Sequence, residues 1–413
     1  MPRGRRAVRE RSTSTASKTE EAARSGVDDS PQNPGRCKRV NPRERHQLIF
    51  GLVRPLNTSI IGGGVAGLAF ASGLHQRDLP FALFERSNEF TDGGFGFILL
   101  ANGRNALREL GVEFKQSEVG CEVSHAVVRT IDGEVVAAME LTDTLAVSRH
   151  DLLTVIRAAI PHEAIRLSQD FSHFDSDGTT VRSAVFADGS EYVADVFVGA
   201  DGSRSRCREW ITPAHPAPSG RVNEIVSMVS CPDVAQEIGS TFTKFMHPDG
   251  GLAVGLVPSG NGRVIWFVQF DTQRFATPER HDAASFLQSL LGDFPAIVQS
   301  ALAATDKAAP HVWHTVDMNP PSSMVRGNVA LIGDAAHPLL PFTSQGANSA
   351  LEDAADLVAS VATCASPDEV EPALRAFSHR RQPRRAGHVT AGRSIASDFV
   401  NPTIGTVLVP LDI

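Results

Sequence analysis

Apolar patterning begins abruptly along this chain. Up to about Leu56 it is polar and rich in Pro, Ser and Arg, with neither helical nor strand periodicity. A β-type run, Thr58-Ser59-Ile60-Ile61, then leads into Gly62-Gly63-Gly64-Val65-Ala66-Gly67 and an apolar stretch from Leu68 to Gln76. The pattern predicts strand, glycine turn and helix in immediate succession. Phe81-Ala82-Leu83-Phe84 predicts a second buried strand, closed by Glu85. Two further continuous apolar runs follow, Val196-Phe197-Val198-Gly199 and Val329-Ala330-Leu331-Ile332, and the second precedes an Ala-rich helix from about Gln345 to Val361. A last helical stretch covers Ala373 to Ile395 and holds Arg380-Arg381-Gln382-Pro383-Arg384-Arg385.

The middle of the chain reads differently. Between Pro213 and Pro321 the composition is β-type, with strands predicted over Thr241 to His247, Gly251 to Val257 and Arg263 to Phe270. Asn261-Gly262 between the last two is a hairpin signal. A helix from about Asp282 to Leu291 would cover the back of this sheet. On the third strand Val264, Trp266, Val268 and Phe270 share one face, but alternation alone does not say which face looks inward.

The first glycine cluster carries chemistry. G-x-G-x-x-G lies between a strand and a helix, and Glu85 stands 18 residues beyond its last glycine. This is the context a dinucleotide needs. Gly62 permits the tight turn, Gly64 lets backbone approach a pyrophosphate, and Gly67 lets the helix pack on the sheet, while Glu85 accepts from ribose hydroxyls. A second helix start, Gly346-Ala347-Asn348, presents bare backbone amides. Such a terminus is a fixed source of positive potential for negative charge on a bound group.

Composition narrows the class. The 413 residues suit two or three domains, and 42% hydrophobic with 21% charged residues excludes collagen, coiled coil and wholesale disorder. No run approaches the ~18 apolar residues of a membrane helix. The net charge of −8 divides unevenly: residues 1–55 hold 13 Lys or Arg against 6 Asp or Glu, about +7, which leaves 26 against 41 for the rest. An acidic body argues against nucleic acid as partner. Residues 1–55 read as a disordered basic leader, with organelle targeting as an alternative that Glu10, Glu20, Glu21, Asp28 and Asp29 weaken. Cys37, Cys121, Cys207, Cys231 and Cys364 are scattered, as expected of reduced thiols in a cytoplasmic protein, and no His/Cys/Asp cluster has metal spacing.

Three more segments complete the picture: Gly93-Gly94-Phe95-Gly96-Phe97, the D-G-x-x-S-x-x-R run Asp201-Gly202-Ser203-Arg204-Ser205-Arg206-Cys207-Arg208, and Gly333-Asp334-Ala335-Ala336-His337-Pro338. With the first fingerprint, in this order, they resemble the class A FAD-dependent monooxygenases, the para-hydroxybenzoate hydroxylase-like and salicylate hydroxylase-like group, over roughly residues 56 to 395. The resemblance implies an α/β fold: a Rossmann-like FAD-binding domain with an inserted antiparallel β-sheet substrate domain and a C-terminal helical segment. It divides the chain into a discontinuous FAD-binding domain, 56–212 with part of the substrate layer and 326–413 with the C-terminal helices, and a substrate-binding β-sheet layer (213–325). FAD would be the bound cofactor, and NADPH or NADH a transient co-substrate without a Rossmann domain of its own. Oxygen insertion would run through a C4a-hydroperoxyflavin, by hydroxylation or epoxidation of an aromatic, polyketide or terpenoid small molecule, in a monomer or homodimer.

Residue by residue, the resemblance places Gly62, Gly64, Val65, Ala66 and Gly67 at the pyrophosphate, Glu85 at the ribose and Arg86 beside the adenine. Gly94 and Gly96 would line the flavin, Arg149 would reach the FAD, and Asp201 would serve both FAD and the passing nicotinamide. Gly333 and Asp334 would hold the ribityl chain, and Gly346, Ala347 and Asn348 the reduced ring. Ser344 stands where the family commonly has Gly, so it would either cap the helix or alter flavin movement. Catalytic residues stay open, with His247, Arg263 and Pro341 as candidates, and Phe242, Phe245, Met246, His247, Trp266 and Phe267 as candidate pocket residues. The lone tyrosine, Tyr192, lies outside the roof, so phenol activation by tyrosine is not expected. A FAD-dependent reductase or dehydrogenase on the same fold, or a non-catalytic FAD-binding protein, are the alternatives.

Overall fold

A computed structural model describes residues 55–90, 96–213, 220–306 and 310–402. The basic leader up to residue 54 and Gly94 lie outside the described residues.

The continuous apolar runs form a six-stranded sheet in the order Val325–Arg326, Val329–Leu331, Val196–Gly199, Thr58–Ile61, Phe81–Phe84, Ile165–Arg166. All neighbours are parallel except the first pair. Parallel strands are covered on both faces, so side chains of both parities are buried: Ile60, Ile61, Val196, Phe197 and Val198 are each at most 2% exposed. Ile61 stands level with both Gly199 and Phe84, and Gly199 with Leu331. The glycine turn, Glu85, Asp201 and Gly333-Asp334 therefore all leave the same carboxyl edge, where open α/β sheets bind ligands. The helix Val65–His75 follows the first strand, and a Cβ at Gly67 would run into the Gly62 carbonyl oxygen. Gly62 itself sits at φ +109°, a backbone conformation that side chains with a Cβ rarely adopt.

A second, seven-stranded sheet roofs this edge. Its order is His311–Trp313, Val222–Ser230, Arg263–Asp271, Leu252–Pro258, Thr241–Met246, His125–Thr130, Val135–Glu140. Three of these strands match the expected runs within a residue or two; of the other four, Val222–Ser230 and His125–Thr130 carry polar residues on both faces, and His311–Trp313 and Val135–Glu140 are short or Ala-rich, so none gave a clear alternation. The structure also settles which face is which. Trp266, Val268 and Phe270 pack with Phe245, Val254 and Leu256 against Leu287 and Val298 of the helices Ala283–Leu290 and Ala296–Ala303. Trp266 and Phe245 are thus core residues on the outer face, not pocket residues.

The helix Gln345–Val361 keeps its expected bounds, whereas the last helix is longer than expected, Val370–Val400, and carries Pro383 inside it. Among the described residues no helix is long and apolar enough to cross a membrane.

Trp266 is 1% exposed and donates from Nε1 to Thr305 Oγ1 at 3.0 Å. Trp266→Ala should lower the unfolding free energy by about 3–5 kcal/mol in urea titration. A loss under ~1 kcal/mol would contradict the outer-face placement.

Candidate active site

A cavity of about 830 Å3 separates the carboxyl edge of the parallel sheet from the inner face of the roof. Its floor is backbone. Gly64, Val65 and Ala66 enter it from the start of the first helix, and Ser344, Gly346 and Ala347 from the start of the helix Gln345–Val361. Neither N-cap residue, Gly64 or Ser344, caps its helix with a side chain. First-turn amides and the positive ends of two helix dipoles thus meet one space, an arrangement that attracts anionic groups. A Cβ built at Gly64 or Gly346 would meet nothing within 4 Å, so a side chain at either would stand in the cavity itself. This open cradle, with Asp334 and Arg149 beside it, fits a dinucleotide carrying a reducible ring.

Asp334 has protein on every side but the cavity, to which its side chain is exposed. Burial pushes its carboxyl above the usual range, opposed by His337, Arg208 and Arg149. Arg149 also lines the cavity, and burial lowers its pKa against the pull of Glu85 and Asp334. Gly333, at φ +58°, makes the turn that aims Asp334. A Cβ there would lie 3.0 Å from that of Ala66 and 3.1 Å from that of Ala350, so Gly333 also lets the two floor helices approach.

Several expected residues support this floor from behind without lining it. Glu85 accepts from the amides of Gly63 (2.7 Å) and Ser87 (3.0 Å), and Arg86 is exposed beside it. Asp201 accepts from Ser205 Oγ at 2.5 Å and from the amides of Arg206 (2.8 Å) and Cys207 (3.1 Å), so its carboxylate fastens the start of the helix Arg206–Ile211. Arg208 then donates to the carbonyls of Asp334 (3.3 Å) and Ala335 (2.9 Å), joining this segment to the Asp334 loop. Asn348 accepts from the Leu100 amide (2.9 Å) and donates to the carbonyls of Ile98 (3.0 Å) and Ser344 (2.7 Å). Its amide is a backbone clasp rather than a cavity group. Ser344 occupies the left-handed region at φ 50°, ψ 18° and makes no side-chain cap. The capping alternative is therefore excluded, and serine adopts at some cost a conformation glycine takes freely.

Beneath the Asp334 loop lies a buried ionic cluster that the sequence did not announce. Asp353, fully buried, accepts from the Gly333 amide (3.1 Å), Arg381 Nε (2.8 Å) and Arg385 Nη2 (3.1 Å), and pairs with His337 Nε2 at 2.6 Å. Burial alone would raise its pKa, but Arg385, His337 and Arg381 hold it well below the usual carboxylate range. His337 is thereby turned into this cluster.

The roof supplies an apolar inner face, with Val226, Phe242, Val257, Ile265 and Phe267, interrupted by Glu224, Lys244 and Gln269. Phe242 and Phe267, both pocket candidates, line it, whereas Met246 packs aside with Leu340 and Phe342. Gly255 lies between Lys244 and Phe267 in register, and a Cβ there would strike the Phe267 ring. Burial pushes the Glu224 carboxyl up to about 7, opposed by a hydrogen bond from Gln269 and by Lys244. Burial likewise pulls Lys244 down to about 8, opposed by Glu224. Pro341 lines the cavity, but His247 and Arg263 do not. His247 lies one residue past its strand, where its Nδ1 accepts from the Asp249 amide at 3.2 Å. Arg263 begins its strand two residues before Ile265, the first residue of that strand to reach the cavity. Sequence reasoning missed Glu224, Lys244 and Gln269. Their signal is a polar residue at every-other spacing inside an apolar strand.

The family model for the FAD binding domain matches residues 56–391. Among characterised proteins, aurachin C monooxygenase/isomerase of Stigmatella aurantiaca is 28% identical over 347 residues, covering 82% of this chain and 88% of that one. The 3-amino-4-hydroxybenzoate 2-monooxygenase of Streptomyces cremeus is 28% identical over 363 residues, covering 84% and 89%. Among solved structures, Klebsiella pneumoniae HpxO complexed with FAD and uric acid superposes with a TM-score of 0.77 at 24% identity, covering 84% of this chain and 90% of that one. The chain belongs to this FAD-binding family and is a flavoprotein monooxygenase of the class its motifs resemble.

Gly64→Asp and Asp334→Ala should each yield a largely FAD-free protein, the first by placing a carboxylate where the pyrophosphate would approach. Flavin released on denaturation is the measurement, and stoichiometric yellow protein from either variant would count against the floor as drawn. For Glu224 the sign follows from a folded pKa raised from 4.5 to about 7: its ionisation disfavours the folded state. Glu224→Gln should therefore stabilise the protein above pH 7 by on the order of 3 kcal/mol, a gain that shrinks as pH falls and vanishes near pH 4.5. Melting curves across that range check it.

Proposed function

We propose that this protein is an NAD(P)H- and O2-dependent monooxygenase that inserts one oxygen atom into a small aromatic or aromatic-derived metabolite, the other atom leaving as water. The observation that carries this reading is the uncapped helix start Gln345-Gly346-Ala347 facing the same cavity as an apolar roof. FAD held by this floor would supply the redox chemistry between the nicotinamide and oxygen. The chain's own groups do the rest. Amides at Gly346 and Ala347 offer fixed positive potential to negative charge on the reduced ring system. Val226, Phe242, Val257, Ile265 and Phe267 exclude water from the roof side, and Leu339 and Pro341 close another wall. Asp334 and Arg149 stand at the floor to orient the cofactor's polar chain.

A single dinucleotide fingerprint leaves the nicotinamide to bind transiently. The names of the two relatives, a monooxygenase/isomerase of aurachin C and a monooxygenase of an aminohydroxybenzoate, favour an aromatic or secondary metabolite as substrate. Cys121, Cys207, Cys231 and Cys364 are free thiols, in keeping with a cytoplasmic site of action.

A screen of aromatic and polyketide compounds for stimulated NAD(P)H oxidation supplies a turnover substrate. Under 18O2 the product should gain one heavy oxygen, read by mass spectrometry. Flavin that NAD(P)H fails to reduce, or NAD(P)H consumption that yields only hydrogen peroxide with every compound, would overturn the reading.

A further inference from the structure

The inner face of the roof carries two opposite charges that do not close on each other. Glu224 and Lys244 are 4% and 3% exposed, and both line the cavity. Glu224 and Gln269 are direct cross-strand partners, and Gln269 Nε2 donates to Glu224 Oε1 at 2.6 Å, which fixes the carboxylate and leaves its other oxygen uncommitted. Lys244 belongs to a strand on the far side of Leu252–Pro258, level with Gly255. Its Nζ lies 5.4 Å from the Phe342 ring centroid and 5.7 Å from that of Phe399, so aromatic faces steady the ammonium without using its hydrogens. Among the described residues it has no hydrogen-bond acceptor, and no carboxylate oxygen lies within 4.0 Å of it. Buried charges left with open valences carry a large desolvation penalty that a bound partner would relieve.

Between the two poles the intervening strand carries only the small residues Ala253 and Gly255, and the Phe267 ring lies flat over Gly255, so the poles are separated by an apolar surface rather than by a polar group. Around them Phe242 and Phe267 present rings, while His311, on the strand beside that of Glu224, and Arg280 also line the cavity. A ligand complementary to this surface has a flat apolar body with two unlike polar ends on separate positions.

We propose that Lys244 and Glu224, the latter held by Gln269, are the specificity-determining poles of the substrate site: Lys244 takes an anionic or carbonyl oxygen of a planar aromatic substrate, and Glu224 takes a hydrogen-bond donor elsewhere on the same ring system. This deepens the proposed function and rests on it for the word substrate. It excludes hydrocarbon-like terpenoids, which would leave both charges unpaired.

The test titrates the purified FAD-loaded protein with 4-hydroxybenzoate, phenol, benzoate and toluene, following the absorbance of the oxidised flavin. The probe with both poles should bind at least ~10-fold tighter than either probe lacking one. Lys244→Met should weaken 4-hydroxybenzoate by at least ~10-fold and leave toluene within about twofold, with FAD content and melting temperature retained. Lys244→Arg should restore most of the loss. Glu224→Gln should weaken 4-hydroxybenzoate but not benzoate. Four probes binding alike, toluene binding tightest, or a Lys244→Met protein with an unchanged ratio would overturn the proposal. Should Lys244→Met fail to retain FAD, the Glu224→Gln and Lys244→Arg titrations decide alone. Because the titration needs no turnover, an absence of NAD(P)H oxidation beside an intact binding pattern would refute the proposed function and not these two poles.

Discussion

Asp353 is the point on which the flavin side of the cavity depends. Its carboxylate joins the turn at Gly333, the side chain of His337 and two arginines of the last helix. That arrangement ties the Asp334 loop to both long helices at once. A buried charge of this kind adds little net stability over an apolar packing, but removing one partner leaves the others uncompensated, typically at about 3–5 kcal/mol. Its use here is positional. The same carboxylate that anchors Gly333 belongs to the helix whose first amides face the cavity, so the direction of Asp334 and the direction of those amides are set together.

The opposite wall follows another logic. The floor is built from backbone amides, helix dipoles and a few charged side chains, which suit a cofactor common to a whole family. The roof is built from side chains on strands that are antiparallel but for the pair Thr241–Met246 and His125–Thr130, and each inward position can change without disturbing its outward neighbours. General chemistry thus sits on the invariant geometry of helix starts, and selectivity on an exchangeable surface. The polar residues Glu224, Lys244 and Gln269 stand among inward roof residues that are mostly apolar or small, with His311 a further polar exception.

Much of the floor was legible in the sequence. The runs Thr58–Ile61 and Phe81–Phe84 and the helix Gln345–Val361 carry the bounds the pattern gave them, because each is closed by glycine, a charged residue or a change of period. Less legible was what each motif residue does. Asp201 and Asn348 read as cofactor contacts, yet their side chains are occupied by backbone groups that only the folded chain brings near. The roof was half legible. Strand alternation separates Trp266 from Phe267 without saying which points inward, since that depends on helices more than ten residues away in sequence. Asp353 was hidden in an Ala-rich helix. Its clue is an acid on the turn-spaced face of Ala350, Ala354 and Leu357, with partners four residues apart at Arg381 and Arg385.

Gly255 gives the roof an evolutionary lever. Its missing side chain is the reason the Phe267 ring can lie back against the sheet. A change to alanine would force that ring off its present seat, since the new Cβ would fall within 3 Å of it, and so reshape the chamber from above without touching the floor. Divergence in what such a scaffold accepts can then proceed by one-methyl steps at a position that bears neither charge nor catalytic duty, which leaves the redox machinery shielded from the search.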